Sequence, residues 1–436
     1  MSPVRSALAS GVRPVEVWAW AMFDFANSSY TTVVITAVFG AYFVAVVAEG
    51  ADWGTLAWTS ALGVSYALVM LTGPLVGAYA DMHAAKKRLL AVTTIGCVLG
   101  TAALAIVGRG DLALALALIV ISNYCFGTGE NLIAAFLPEI AKGEAIGRVS
   151  GWGWGLGYLG GLLSLGLCLV YLNWATGRGV TTDAAVPVTM LITAALFALA
   201  SLPTFLLLTE RAKPLAGPGH AFRDSFGRLA GTLHRARRYE DLWRFLLCIA
   251  FYQAGIQTVI SLAAIYAAQA MGFTTKETLL LLTVTNVTGS IGALLFGQVQ
   301  DRLGHKATLA LTLLLWIATV LMLWWAQGVT VFWIGANLVG LCLGASQSAG
   351  RALVGYLSPE KHSGEFFGLW GLAVKFSSIV GPVTYGLVSW LSRGDHRLAI
   401  LMTSVFFVVG LALLMTVDVT RGRKVATSDM PGDAPA

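Results

Sequence analysis

Gly77-Ala-Tyr-Ala-Asp81-Met-His-Ala-Ala-Lys86-Lys87-Arg88 joins the end of one long apolar segment to the start of the next. A second version, Gly297-Gln-Val-Gln-Asp301-Arg302-Leu-Gly304-His-Lys306, stands 220 positions later at an equivalent junction. In both, a glycine precedes an aspartate by one helical turn and a basic turn follows. The spacing predicts that Gly77 and Gly297 let a neighbouring helix approach closely. Asp81 and Asp301 are then expected to end their helices beside Lys86, Arg88, Arg302 and Lys306. Charged turns between apolar segments are common, so one copy would say little. Two copies at matched places indicate duplication, and the offset holds elsewhere. Leu137-Pro138-Glu139 returns as Leu357-Ser-Pro359-Glu360, while Glu130 falls on Arg351 and Gly160 on Gly381 at an offset of 221. A repeat of this kind decides a fold before any single element does, and the chain reads as two related halves of about 200 residues.

Bulk composition says where the halves reside. Charged residues make up 11% of the 436 and hydrophobic residues 57%, with a mean hydropathy of +0.76; a soluble domain carries roughly 25% charge. Runs of about 20 apolar residues are membrane-spanning candidates. Twelve are predicted, over 17–48, 55–80, 89–108, 112–137, 149–173, 186–208, 242–270, 277–300, 307–326, 329–356, 366–391 and 398–417. With the N-terminus inside, 22 of the 28 Lys and Arg fall on the cytoplasmic side, eight of them between 209 and 244. That bias puts both termini in the cytoplasm and makes the +6 net charge topological, so nucleic-acid binding is not expected. The fold class expected is an all-α membrane protein with twelve transmembrane helices in two pseudo-symmetric six-helix bundles. Its domains are an N-terminal bundle over 1–208, a basic cytoplasmic linker over 209–241, a C-terminal bundle over 242–418 and a disordered tail over 419–436. The basic face of the linker suits anionic lipid.

Other classes of function find little support. The five cysteines sit deep in apolar runs and the six histidines in loops or at helix ends. Neither a disulfide framework, a metal centre nor a cofactor is expected. The first 16 residues lack the apolar core and cleavage site of a signal peptide. No Gly-x-x-x-x-Gly-Lys-Ser/Thr, Gly-x-Ser-x-Gly or His-Glu-x-x-His occurs, which argues against ATP drive and against a hydrolase.

Six plus six spans, a long linker and the twinned Gly-x-x-x-Asp loop resemble the major facilitator superfamily. Its loop usually reads Gly-x-x-x-Asp-Arg-x-Gly-Arg-Arg. The second copy fits through Asp301, Arg302 and Gly304, whereas the first has Met82 for Arg and Ala84 or Ala85 for Gly. A narrower resemblance runs almost end to end. Trp20-Ala-Met-Phe-Asp24-Phe-Ala-Asn27-Ser28-Ser-Tyr30, Phe136-Leu-Pro138-Glu139 and Glu365-Phe-Phe-Gly368-Leu are similar to motifs of the autophagy-related vacuolar amino-acid effluxer family and its bacterial relatives. So is Gly147-Arg148-Val-Ser-Gly151-Trp-Gly-Trp-Gly-Leu-Gly157-Tyr158-Leu-Gly160-Gly161. The resemblance implies a bacterial member in the cytoplasmic membrane that moves amino acids or related zwitterions outward with proton coupling.

A charge inside the bilayer costs several kcal/mol, so each one is a candidate for function. Asp24, Glu130, Arg351 and Lys375 qualify. At ~1.5 Å per residue they fall at similar depth in the cytoplasmic half of their spans. The expected pairings are Glu130 with Arg351 and Asp24 with Lys375, serving proton coupling or gating; helix pinning is the plainer alternative. Asn27 and Tyr30 continue a polar stripe from Asp24. Gln253 and Gln257 share a face of the seventh span and suit a zwitterion, and Asn123, Asn286 and Gln347 are further candidates for a solute cavity or, equally, for interhelical hydrogen bonds. The glycines alternating from Gly151 to Gly157 read as close packing of the fifth span, with a flexible gating helix as the alternative. Together these features predict a monomeric secondary transporter of a small polar solute, with the lipid bilayer and a proton as its other partners. A transporter of a different metabolite or drug is the first alternative, and a polytopic membrane enzyme or scaffold the second.

Overall fold

The computed structural model describes residues 8–141, 146–211, 239–326, 328–358 and 363–428. The side chains of Asp81, Asp301 and Arg351, most of the basic linker and the last eight positions lie outside the described residues. Twelve long helices are found among those described. They are α1 (Pro14–Val47), α2 (Gly54–His83), α3 (Lys86–Ala103), α4 (Leu112–Ala134), α5 (Ile146–Gly177), α6 (Thr182–Leu207), α7 (Glu240–Met271), α8 (Thr275–Leu303), α9 (His305–Trp325), α10 (Val329–Leu357), α11 (Ser363–Leu391) and α12 (His396–Met415). Eleven are long and apolar enough to cross a membrane. The other, α8, is as long but carries Thr283, Thr285, Asn286, Thr288 and Ser290 in its middle.

Local chemistry sets the helix ends. Pro14 opens α1, where its missing N–H costs nothing, and the Glu16 carboxylate accepts the Arg13 N–H at 3.2 Å. The two Gly-x-x-x-Asp turns are closed differently. Ala84 ends α2 in the left-handed region (φ 47, ψ 52). Gly304, 220 positions on, has φ 82 and ψ 164, a combination open essentially to glycine alone. The alanine copy survives because it makes the milder left-handed turn.

The helices fall into two compact units, Met1–Ser225 with Phe273–Leu279, and Phe226–Gly272 with Leu280–Ala436. In the first, α1 packs on α5 and α6, α3 on α4 and α6, and α2 on α4. The second repeats the pattern, with α7 on α11 and α12 and α9 on α10 and α12. Glycines mark matched contacts. A Cβ at Gly160 would collide with the Phe25 carbonyl, and one at Gly381 with the Ala254 carbonyl. Phe25 therefore corresponds to Ala254, and Asp24 to Gln253.

Apolar side chains face outward as well as inward, unlike those of a water-soluble bundle. Val92, Ile95 and Leu99 form an exposed aliphatic stripe on α3, and Leu199, Leu202 and Leu206 another on α6. Large apolar faces of this kind are stable against lipid, and the protein is a multi-pass membrane protein. Hydroxyls inside the spans close mostly on their own helices, as Thr93 and Thr94 do on Leu90 O.

Each unit is tied at one end by an arginine that follows its last long helix. Arg211 pairs with buried Glu16 at 2.8 Å. Arg421 binds buried Asp241 through Nε and Nη2 at 2.7 and 2.8 Å. Glu139 bridges Lys86 Nζ (3.0 Å) and the Arg211 N–H (2.8 Å), while Glu210 accepts the N–H groups of Lys86 and Lys87. Glu210 thus caps the start of α3. After the last span, α13 (Val419–Ser428) is a helix held to α7 by Arg421 and to Tyr356 by Arg423, whose guanidinium donates to the Tyr356 carbonyl at 3.1 Å. Its tethering acid, Asp241, lies 180 residues away in the chain.

Candidate functional site in the N-terminal unit

The middle of α1 carries the first candidates. Asp24 is half-buried where α1 meets α5, and Gly153 of α5 is its floor. A Cβ at 153 would strike Asp24 Oδ2 and lie 2.8 Å from Trp20 Cζ3. Gly157 does the same for Ser28 (2.9 Å from Oγ) and Gly161 for Thr32 (2.9 Å from Oγ1), whereas Gly155 faces open space. The glycine run is thus a one-sided groove for α1, and its polar occupants are Asp24, Ser28 and Thr32.

Glu130 of α4 is half-buried and acts electrostatically on Asp24. Phe23 lies beside Gly129, with its Cζ 3.7 Å from where a Cβ at 129 would be. Trp20 Nε1 donates to the Ile133 carbonyl at 2.9 Å, and Thr204 of α6 donates to the Ala19 carbonyl at 2.7 Å. Asn27 is buried, and its Oδ1 has no hydrogen-bond partner among the described residues. Beyond Tyr30, α1 widens into a π-helical stretch over Thr31–Ala37; such stretches often accompany functional sites.

Two of the candidates are bonded within the unit. Tyr30 is fully buried, shares a 2.8 Å hydrogen bond with Ser122 Oγ and stacks on Phe126 at 5.0 Å. Asn123 is also fully buried and donates to Ser65 Oγ. Both tie α4 to its neighbours inside the unit. Polarity marks an inward-facing position but does not distinguish a helix–helix bond from a solute path. A Cβ at Gly77 would meet nothing within 4 Å among the described residues, and with Gly73, Lys86, Thr128 and Asn131 it lines a cavity of about 80 Å³ between α2 and α4.

In the second unit Gln253 is fully buried on α7, and its Nε2 donates to Gln347 Oε1 of α10 at 3.1 Å. Gln253 Oε1 and the buried Tyr252 hydroxyl have no hydrogen-bond partner among the described residues. Gln347 stands one turn before Arg351 on α10. Gln257 and Lys375 are half-buried, and Asn286 Nδ2 returns to its own helix at Leu282 O, 2.8 Å. Lys306, from the second basic turn, donates to the Met415 and Val417 carbonyls at the end of α12; Gly297 falls within α8 and Arg302 near its end. The expected partners Asp24 with Lys375 and Glu130 with Arg351 belong to different units. The sequence assigned no role at these sites to Trp20, Glu16, Arg211, Asp241 and Arg421. An acid in the first turn of the first helix of each half was the available signal. Among the described residues no cluster of His, Cys, Asp and Glu suits a metal.

Comparison with known proteins fits this architecture. A Bacillus subtilis (strain 168) protein described as the uncharacterized MFS-type transporter YxiO is 29% identical over 401 residues, covering 91% of this chain and 93% of its own. Autophagy-related protein 22-1 of Aspergillus fumigatus is 25% identical over 331 residues, 69% of this chain and 53% of the fungal one. The chain thus spans about half the length of that fungal relative. Among solved structures, a bacterial homolog of the human lysosomal transporter Spinster, inward-facing and unoccupied, superposes with a TM-score of 0.70 at 13% identity, covering 98% and 99% of the two chains. The protein therefore has the major facilitator fold and is a transporter of that type, not an enzyme. The vacuole effluxer Atg22-like family model matches residues 55–427, and the chain belongs to that family.

Proposed function

We propose that this transporter exports a small zwitterion, an amino acid or close relative, against proton entry by alternating access. The observation that supports the reading is the register of α1 against α4, which brings Asp24 to the level of Glu130 within reach of its charge. Two adjacent carboxylates in a membrane interior are not both ionised cheaply unless a proton, an amine or another cation joins them. A proton and a solute ammonium group are then alternative occupants of one site, which is the requirement for exchange. The matched positions of the second unit are chemically opposite: Gln253 corresponds to Asp24 and Arg351 to Glu130. Amides and a guanidinium are suited to the carboxylate end of the same solute. Pairing of Glu130 with Arg351 and of Asp24 with Lys375 belongs to the states in which the solute is absent. A ligand moves the equilibrium only by binding one state better than the other, and competition for the acids supplies that difference. The effluxer family supports the outward direction. The 22 cationic residues on one side support a bacterial cytoplasmic membrane with both termini and the linker inside.

Counterflow in proteoliposomes tests the solute class. Zwitterionic amino acids loaded inside are expected to accelerate entry of labelled amino acid, and their N-acetyl derivatives are not. Acceleration by sugars or nucleosides with none by amino acids would replace this reading with that of a different metabolite.

A further inference from the structure

We propose that Trp20 is a positioning residue that keeps Asp24 level with Glu130, setting the register between α1 and α4. The proposal rests on the reading of Asp24 as the coupling acid. Two side-chain bonds fix the alignment of these antiparallel helices: Trp20 Nε1 to Ile133 O at 2.9 Å and Tyr30 OH with Ser122 Oγ at 2.8 Å. Moving ten residues along α1 from the first bond to the second corresponds to moving eleven back along α4. Four residues on from Trp20, Asp24 therefore falls opposite positions 128–130. The contact between Phe23 and Gly129 confirms the alignment at that level.

Of the two anchors, Trp20 is the closer, one turn from Asp24 on the same face. Its indole is buried and held on three helices: its N–H reaches α4, its ring lies against Gly153 of α5, and its backbone belongs to α1. Ile133 is one residue from the end of α4, and its carbonyl accepts the Phe136 N–H at 3.1 Å as well as the indole N–H. The indole N–H thus ties the end of α4 to α1, and Glu130 stands one turn before it. Without this bond the end of α4 can slide or fray, and Glu130 moves with it while Asp24 remains in its glycine groove.

The test uses Trp20→Phe, which keeps an aromatic ring at the position and removes the N–H together with the outer part of the indole that lies against Gly153. In a background without the native cysteines, Asp24→Cys with Glu130→Cys reports the register by the rate of disulfide formation under mild oxidation, whether or not the protein transports anything. A rate at least fivefold lower with Trp20→Phe is expected. An unchanged rate, or no disulfide with Trp20 intact, overturns the proposal. In the protein with its acids intact, Trp20→Phe is expected to reduce gradient-driven accumulation at least threefold. It should leave the KM of exchange within twofold, and add nothing when Glu130→Gln is already present. Additive losses would mean that Trp20 acts through general stability and would also overturn it. Slower cross-linking with unimpaired accumulation would leave the register assignment standing and remove Asp24 from the coupling mechanism.

Discussion

Gly153 and Gly155 are two residues apart on α5 and face opposite ways, so alanine at each is a matched experiment. A methyl at 153 would lie 2.8 and 3.0 Å from Trp20 Cζ3 and Cη2 and would strike Asp24 Oδ2. At 155 it would meet nothing within 4 Å. Replacing glycine by alanine in a helix gains about 1 kcal/mol at either site, so this gain cancels in the comparison. What remains is the cost of overpacking at 153, about 1–3 kcal/mol. Gly155→Ala is expected to stabilise the purified protein by up to about 1 kcal/mol and to transport normally. Gly153→Ala should be less stable than Gly155→Ala by the overpacking cost and lose accumulation, because Asp24 is pushed off its floor. Denaturant titration of the two variants in one detergent, with transport in proteoliposomes, measures both effects. Equal stability of the two alanines would refute the one-sided groove and with it the placing of Asp24 on Gly153.

Three further outcomes follow from particular contacts. Ala84→Gly relieves a left-handed conformation costing an L-residue about 1–2 kcal/mol, less the glycine entropy of about 0.5–1 kcal/mol; a net gain near 0.5–1 kcal/mol in the same titration is expected. Tyr30→Phe removes a buried hydrogen bond to Ser122 and should lower stability by about 1 kcal/mol while leaving the KM of transport unchanged, whereas a raised KM would return Tyr30 to the solute path. Arg421→Ala leaves the buried Asp241 carboxylate without its guanidinium and should expose 419–428 to limited proteolysis; resistance equal to that of the unaltered protein would show that α13 is held by other contacts.

Sequence alone carried the architecture because the membrane makes its demands in units of whole helices. Runs of apolar residues and paired Gly-x-x-x-Asp turns survive in the chain as lengths and offsets, and α1 to α12 fall close to the segments they predict. The acids Asp24 and Glu130 were legible for the same reason, since charge in a span is rare. Their mutual neighbourhood was not, because it depends on the register of α1 against α4, set by a tryptophan N–H and a backbone carbonyl 113 residues away. For Tyr30 and Asn123 the sequence does not separate a solute path from an interhelical bond, because a buried hydroxyl or amide is satisfied equally well by a neighbouring helix or by a solute. Gly77 and Gly153 are the same residue type in apolar runs, yet a Cβ at 77 would meet nothing within 4 Å among the described residues, whereas Gly153, Gly157, Gly160 and Gly161 pack closely. The arginine ties to Glu16 and Asp241 join helix starts to positions far along the chain, a distance that local pattern does not reach.

The most direct test of the proposed coupling is Asp24→Asn, which holds the volume of the side chain and fixes it in an uncharged form. In proteoliposomes carrying an imposed proton gradient, this variant is expected to lose accumulation of the solute while solute–solute exchange continues, since exchange needs only the loaded carrier to alternate. Accumulation against a gradient at the rate of the unaltered protein would contradict the account and leave Glu130 to carry the proton.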